Sequence, residues 1–305
     1  MIRKIEEDEL DLIEPILTKF GQETDSGVPP NFMESMKTSV KEGKAILYGV
    51  FSDSNNLDGI GLFGNVSKRL SFIYASGDTE LEIGLVDTIY NNHSSNNSRL
   101  MAGGAWVTET ISNHLVQLGF RKLDRAAMTL SRSAIEALST ASLVEDMNFE
   151  VYDKLQIDEL SQLMFKGNIN HVDQIVFPMF FGTVENCRTL VETIENSVYG
   201  EYKKPYSWLL KKNGRIIGAC FMTIRNKGDT GYIPDIVIDP DYQGKGLGKA
   251  LLIHSMKAII ACELDLIKID LDVTLENNAR FLYKSLGYET TTEYSIYTWL
   301  NKEND

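Results

Sequence analysis

The chain has 305 residues, 43% of them apolar and 24% charged, which is enough for two domains with cores of their own and too apolar for a disordered chain. Its net charge of −13 argues against nucleic acid or an anionic membrane as the main partner. Cys187, Cys220 and Cys262 lack CxxC spacing, so no disulfide framework or metal site is expected. With an acidic, amphipathic start and no run near the ~20 apolar residues of a membrane span, a cytoplasmic protein is expected.

In chain order, Ile2–Ile5 reads as a short strand and the next segment as an amphipathic helix to about Phe20. Ala45–Ser52 and Asp58–Val66 read as paired strands around the turn-forming "DSNN". Arg69–Ser76 is a further strand, Thr79–His93 a helix and "LMAGGAWVT" a strand. A helix over Ile111–Phe120 and a strand around "RAAMTL" follow.

The second part repeats this order. After strand "FEVYDKL" comes a helical region from about Asp158 to Tyr199, interrupted by "FPMFFG". "YSWLLKKNGRIIGACFMTI" reads as a hairpin turning at Asn213-Gly214. Strand "GYIPDIVID", a glycine-rich loop, helix Lys249–Cys262, strand "LIKIDLDVT", helix "NARFLYKSLGY" and strand "EYSIYTWL" complete it. "LVQLGF" and "LYKSLGY" end their helices alike, each on a glycine suited to a left-handed cap. This is the pattern of a tandem duplication with a junction near residues 140–148.

The loop "QGKGLG", Gln243–Gly248, stands between an apolar strand and a helix start. A helix start exposes unpaired N–H groups and the positive end of a dipole, and glycine lets a phosphate approach the backbone. Lys245 and Lys249 add positive charge. Three residues separate Gly244 from Gly248, and Ala250 follows Lys249, so the Walker pattern fails. The dinucleotide pattern fails because its third small position falls on Leu251. Taken alone, the loop suits a phosphate cradle or a turn that merely needs glycine.

The string "DIVIDPDYQGKGLGKALL" as a whole resembles the acetyl-CoA-binding motif of the GNAT superfamily of N-acetyltransferases, with Gln243, Gly246 and Gly248 at its defining positions. The resemblance covers residues 200–300 well and 149–199 loosely. It implies an α/β (α+β) fold whose domains are mixed, strongly twisted sheets flanked by helices, the sheet splitting between the strand ending at Ile238 and that over Lys268–Thr274. The backbones of Ile236, Val237 and Ile238 are expected to face the pantetheine and acetyl groups of acetyl-CoA, one N–H supporting the oxyanion. The N–H groups of Gln243, Gly244, Lys245, Gly246, Leu247, Gly248 and Lys249 are expected to hold its pyrophosphate.

The same resemblance implies that Tyr283 protonates the departing thiolate, ring packing being its other role. Asn277 resembles the asparagine that binds the cofactor arm. The spacing to Tyr283 is one residue short, so Asn278 is an equal candidate and a helix cap the competing explanation. Two carboxylates are candidate bases for the amine proton. Asp272 matches a position where related enzymes carry a glutamate, and Asp235 lies on the other strand flanking the split. His171 falls in the variable region where the family binds acceptors, although a surface or core role is the plainer one.

In the first part the corresponding loop reads "FIYASGDTELEIG", with Asp78, Glu80 and Glu82 where a pyrophosphate would need positive surroundings. Leu115 or Val116 replaces the tyrosine. Residues 1–145 therefore resemble a degenerate GNAT-like domain without a CoA loop, and residues 146–305 a catalytic one. The expected function is transfer of an acetyl group from acetyl-CoA, the cosubstrate, to a small-molecule amine or protein N-terminus by direct attack in a ternary complex. A non-catalytic acyl-CoA sensor is the alternative.

Overall fold

The computed structural model describes residues 1–23, 31–140 and 146–301. Its strands are β1 (Ile2–Lys4), β2 (Ala45–Phe51), β3 (Leu57–Gly64), β4 (Arg69–Tyr74), β5 (Arg99–Ala102), β6 (Arg121–Ser131), β7 (Met147–Val151), β8 (Trp208–Lys212), β9 (Arg215–Arg225), β10 (Thr230–Ile238), β11 (Lys268–Thr274) and β12 (Glu289–Leu300). Its α-helices are α1 (Ile13–Glu23), α2 (Phe32–Lys41), α3 (Thr79–His93), α4 (Glu109–Gln117), α5 (Arg132–Ala137), α6 (Ile157–Asn168), α7 (Val172–Val176), α8 (Pro178–Phe181), α9 (Val184–Glu195), α10 (Leu247–Cys262) and α11 (Ala279–Ser285).

The element order follows the sequence pattern, with three differences that have physical causes. Helix α2 was not expected from its polar composition, yet Phe32, Met33, Met36 and Val40 fall on one helical face and pack into the core. The strand expected over "LMAGGAWVT" stops at Ala102, because Gly103 and Gly104 take φ of +148° and +141°. "FPMFFG" interrupts the helical region as expected, with breaks at Phe177 and Gly182, but Pro178 opens a short helix of its own, α8, where its missing N–H costs nothing.

The chain forms two compact units, Met1–Leu123 with Tyr294–Asp305, and Asp124–Glu293. In the first unit, β1 to β4 pair antiparallel in sequence order. β4 then pairs parallel with β5, which pairs antiparallel with Tyr297–Leu300 of β12. One core layer joins this sheet to α3 and α4, another to α1 and α2. In the second unit, β7 to β10 are antiparallel neighbours, β10 runs parallel to β11, and β11 pairs antiparallel with Arg125–Ser131 of β6. Helices α10 and α11 cover one face, α6 to α9 the other.

Repeats and compact units therefore do not coincide. Each unit takes a strand from the far end of the other repeat, because β6 finds its ladder on β11 and β12 finds its own on β5. The junction expected near residues 140–148 falls inside the second unit, and its residues 141–145 lie outside the described ones.

Candidate active site

The site is built on a fault in the second unit's sheet. β10 pairs with β11 only through Thr230, Gly231 and Tyr232. Beyond Tyr232 the edge of β10 that carries Asp235 to Ile238 has no strand partner on the β11 side, so the sheet splits where the sequence predicts. On its other edge β10 stays paired with β9, but Tyr232 opposes Thr223 and Asp235 opposes Phe221. One extra residue is accommodated there, a β-bulge, and Pro234 sits in it, where a missing N–H is tolerated.

The bulge sets which side chains face the split. A spacing of three would put Tyr232 and Asp235 on opposite faces of a regular strand. The extra residue brings both to the face covered by α6 to α9, with Val237. Ile236 and Ile238 pack toward α10 and α11 instead. On β11, Leu271 and Val273 are buried in the α10 layer while Asp270 and Asp272 point the other way, half-buried. Tyr232 and Asp272 meet across the split, the tyrosine hydroxyl donating to Oδ2 at 3.0 Å. The Arg225 guanidinium lies over the Tyr232 ring and donates to the Tyr199 carbonyl.

Asp235 Oδ2 is buried and has no hydrogen-bond partner among the described residues. Burial, and then the charge of Asp173, push its pKa up to about 7, against a hydrogen bond from the Ile236 N–H. Tyr283 on α11 is 6% exposed, with its ring edge-on to Tyr288 at 5.8 Å. Burial pushes its pKa up, as do Cys220, Asp235 and Asp173, so one field couples Tyr283 and Asp235. Cys187 and Cys220 also feel Asp235, after burial.

Asp173, at the start of α7, was not singled out from the sequence. Its Oδ1 accepts from Thr274 Oγ1 at 2.9 Å and its Oδ2 from Asn277 Nδ2 at 2.7 Å. Although burial opposes it, hydrogen bonds from His171 and Thr274 and the charge of Arg125 hold its carboxyl below its ordinary pKa. Arg125 donates to Thr274 Oγ1 at 2.7 Å and lies over the Phe177 ring. His171 stands just before α7, its Nδ1 3.3 Å from the Asp173 backbone nitrogen and 3.4 Å from Asp173 Oδ2. Asn277 also accepts from the Ala279 N–H at 2.8 Å, so it caps α11 and ties that helix to α7. Asn278 is exposed.

At the far end of β10, Asp239 is fully buried and fixes the "DPDY" turn by accepting from the Asp241 N–H, Lys166 and Arg215. The Gln243 side chain donates to the Ile238 carbonyl at 3.0 Å. Lys245 donates to the Asp241 carbonyl and lies over the Tyr242 ring, while Lys249 is exposed. Gly244 and Gly246 take φ of +74° and +77°, and nothing stands within 4 Å of where a Cβ would be. Gly246 begins α10 with no side-chain cap and no acidic residue in the first turn. The first bond within the helix is from the Ala250 N–H to the Gly246 carbonyl, so the N–H groups of Leu247, Gly248 and Lys249 have no intrahelical acceptor. Open space, positive dipole end and unpaired donors together fit a pyrophosphate.

The first unit offers a contrast at the same place. β4 and β5 pair only at Arg69–Met101 and Leu70–Ala102 before parting. There Asp78 caps α3 itself, accepting from the N–H groups of Glu80 and Leu81 at 3.1 and 3.2 Å, and Glu82 accepts from the Ala75 N–H. That helix start is filled by its own carboxylates. Leu115 is fully buried and Val116 is 49% exposed, so Leu115 is the inward-facing counterpart of Tyr283.

Residues 174–288 match the model of the acetyltransferase (GNAT) family. Over 82 residues the chain is 35% identical to the glucosamine 6-phosphate N-acetyltransferase of Trypanosoma brucei brucei, an alignment spanning 25% of this chain and 52% of that protein. The chain thus spans about half the length of that curated relative. Among solved structures, a GCN5-related N-acetyltransferase from Sphaerobacter thermophilus superposes with a TM-score of 0.62 at 15% identity, covering 98% of this chain and 95% of that one. A tandem GNAT protein from the clavulanic acid biosynthesis pathway superposes with a TM-score of 0.58 at 10% identity, covering 98% of each. At such identities these likenesses speak to the fold, which is shared along the whole chain.

Proposed function

We propose, from the match of residues 174–288 to the acetyltransferase (GNAT) family model, that this chain transfers an acetyl group from acetyl-CoA to a primary amine by direct attack in a ternary complex. The observation that carries the proposal is the split after Tyr232, an unpaired strand edge leading into an uncapped helix start. In this reading the β10 edge at Ile236, Val237 and Ile238 pairs with the pantetheine arm. The N–H groups from Gly244 to Lys249 hold the pyrophosphate, with Lys245 and Lys249 beside it; the Gln243 N–H, expected to join them, is instead donated to the Pro240 carbonyl. Acetyl-CoA, when bound, supplies an activated acyl group on a thiol leaving group. Asn277 is already engaged by Asp173 and Ala279, so its role is to hold α11, and with it Tyr283, against α7.

Asp235 takes the amine proton in this account. Its pKa near 7 makes it half-ionised at neutral pH and basic enough to accept a proton, the poise a general base needs. Asp272 is engaged by Tyr232 and orients the acceptor side of the split. Tyr283 keeps its proton at neutral pH and donates a hydrogen bond to the thiolate as charge develops there. The carboxylates of Asp235 and Asp272 on one face favour a cationic amine, while that of Asp270 is taken by Lys268. The relative named for an amino-sugar phosphate supports a small-molecule acceptor over a protein N-terminus.

The test is release of CoA thiol by the purified protein with acetyl-CoA and a panel of primary amines. Turnover that falls about 10- to 100-fold in Tyr283→Phe is expected, a modest factor because a thiolate leaves readily unaided. Tight acetyl-CoA binding without turnover on any amine would identify an acyl-CoA sensor instead. With an amine that turns over, kcat/KM is expected to rise with pH through about 7 as Asp235 ionises. Asp173→Asn removes a negative charge that holds the Asp235 proton, so this limb moves to lower pH. An unmoved limb would detach Asp173 from the base.

A further inference from the structure

Among the described residues of the first unit, two arginines, Arg69 and Arg99, have no carboxylate in an ion pair with them. Arg69 on β4 is registered with Met101 on β5, and Met101 with Thr298 on β12. These three side chains therefore stand next to one another on one face of the sheet. Arg99 is two residues from Met101 and shares that face. Strand spacing and rise place the Cα atoms of Arg69 and Arg99 about 8 Å apart, a separation from which two guanidiniums can converge on one small group. The opposite face, with Leu70, Leu100, Ala102 and Tyr297, belongs to the apolar layer under α3 and α4.

The floor of the arginine face is dry, Met101 being 4% and Thr298 3% exposed. Thr298 Oγ1 and Arg99 Nε are both buried and have no hydrogen-bond partner among the described residues. Arg69 Nη2 donates to the Gly103 carbonyl at 2.8 Å. Burial lowers the pKa of both arginines, opposed only at Arg69 by the Tyr294 phenol and at Arg99 by nothing. An arginine that merely lays its stem on apolar surface keeps its head in water. Here Arg99 Nε and the Thr298 hydroxyl are withdrawn from water, which disfavours folding unless an anion completes them.

We propose that Arg69, Arg99 and Thr298 form an anion site that binds the phosphate or carboxylate group of a small ligand, independent of the glycine loop after β10. The planar donor forks of two arginines suit a multidentate oxyanion, and the threonine hydroxyl supplies a third donor from the floor. The site does not rest on the acetyl-transfer reading.

The experiment follows the melting temperature of the full chain, in a Gly246→Val background that removes the glycine loop as a phosphate site. Inorganic phosphate and malonate are titrated separately at constant ionic strength against chloride. A rise with the logarithm of anion concentration is expected, as binding to the folded state alone requires. A response to phosphate alone assigns a phosphorylated ligand, and one to malonate alone or to both assigns a carboxylate-tolerant site. Arg99→Met is expected to abolish the response and, without anion, to melt higher than its parent, because it deletes an unpaired desolvated charge. Thr298→Val, close to isosteric, weakens the response if Arg99→Met does not fold. The proposal is overturned if neither anion raises the melting temperature, if the variants respond as the parent does, or if Arg99→Met melts lower without anion.

Discussion

Asp235→Asn is expected to lower kcat/KM at pH 7 by roughly 10²- to 10⁴-fold, the range for loss of a positioned general base, and at the same time to make the protein more stable. The activity loss follows because Asn cannot take the amine proton, and the pH limb near 7 should vanish with it. The stability gain follows from linkage. The folded-state pKa of Asp235, about 7, lies above its ordinary value of 3.8, so the folded protein holds a proton that the unfolded chain releases. Stability from this group is fully present below the unfolded value and is lost as pH rises toward 7. Asn carries no such slope, so above pH 7 the variant is favoured by on the order of a few kcal/mol. Thermal melts at pH 5 and pH 8 and a pH–rate profile read both effects. Full activity in Asp235→Asn, with loss in Asp272→Asn, would move the base to β11.

The second large effect belongs to the glycine loop. Gly246→Val is expected to weaken acetyl-CoA binding by at least about 100-fold, since each donor lost from a charged acceptor costs about 1.5–3 kcal/mol and several would be misaimed. The φ of +77° at Gly246 turns the backbone so that successive N–H groups leave the helix start in one direction. A β-branched residue resists that dihedral by roughly 1–2 kcal/mol, so the loop relaxes and its donors diverge. Folding loses about that strain and no more, because a Cβ at Gly246 meets nothing within 4 Å and adds no clash. Gly248 differs, since its Cβ would meet Ile238 Cγ1 at 3.5 Å and Leu282 Cδ2 at 3.7 Å. A bulky residue there wedges β10 from α11. Calorimetry with acetyl-CoA, beside a melt showing the variant folded, checks the loop. Unchanged affinity would reduce these glycines to a turn.

Much of this architecture was legible in the chain because local chemistry fixes it. The spacing of Gln243, Gly246 and Gly248 dictates a positive-φ entry into α10, and the alternation of Leu271 and Val273 with Asp270 and Asp272 dictates which face of β11 is dry. The acidic first turn of α3 likewise announces a helix start that repels a pyrophosphate, although that Asp78 caps the helix itself is seen only in the structure. The rest depends on contacts distant in sequence. Asp173 lies in a region without strong periodicity, and its partners Thr274 and Asn277 come from another part of the chain. The bulge that turns Asp235 toward Tyr232 is marked by Pro234, but its register is set only by pairing with β9. The destinations of β6 and β12 are ladder choices that a repeat, read locally, would place within its own half.

The central claim is that this chain has one acetyl-CoA site, made by the loop from Gln243 to Lys249, while the first unit has closed its own. Isothermal titration of the full chain with acetyl-CoA tests it most directly. The account predicts a stoichiometry of one per chain, unchanged in Asp78→Ala and lost in Gly246→Val. Two sites per chain, or a site that survives Gly246→Val, would contradict it.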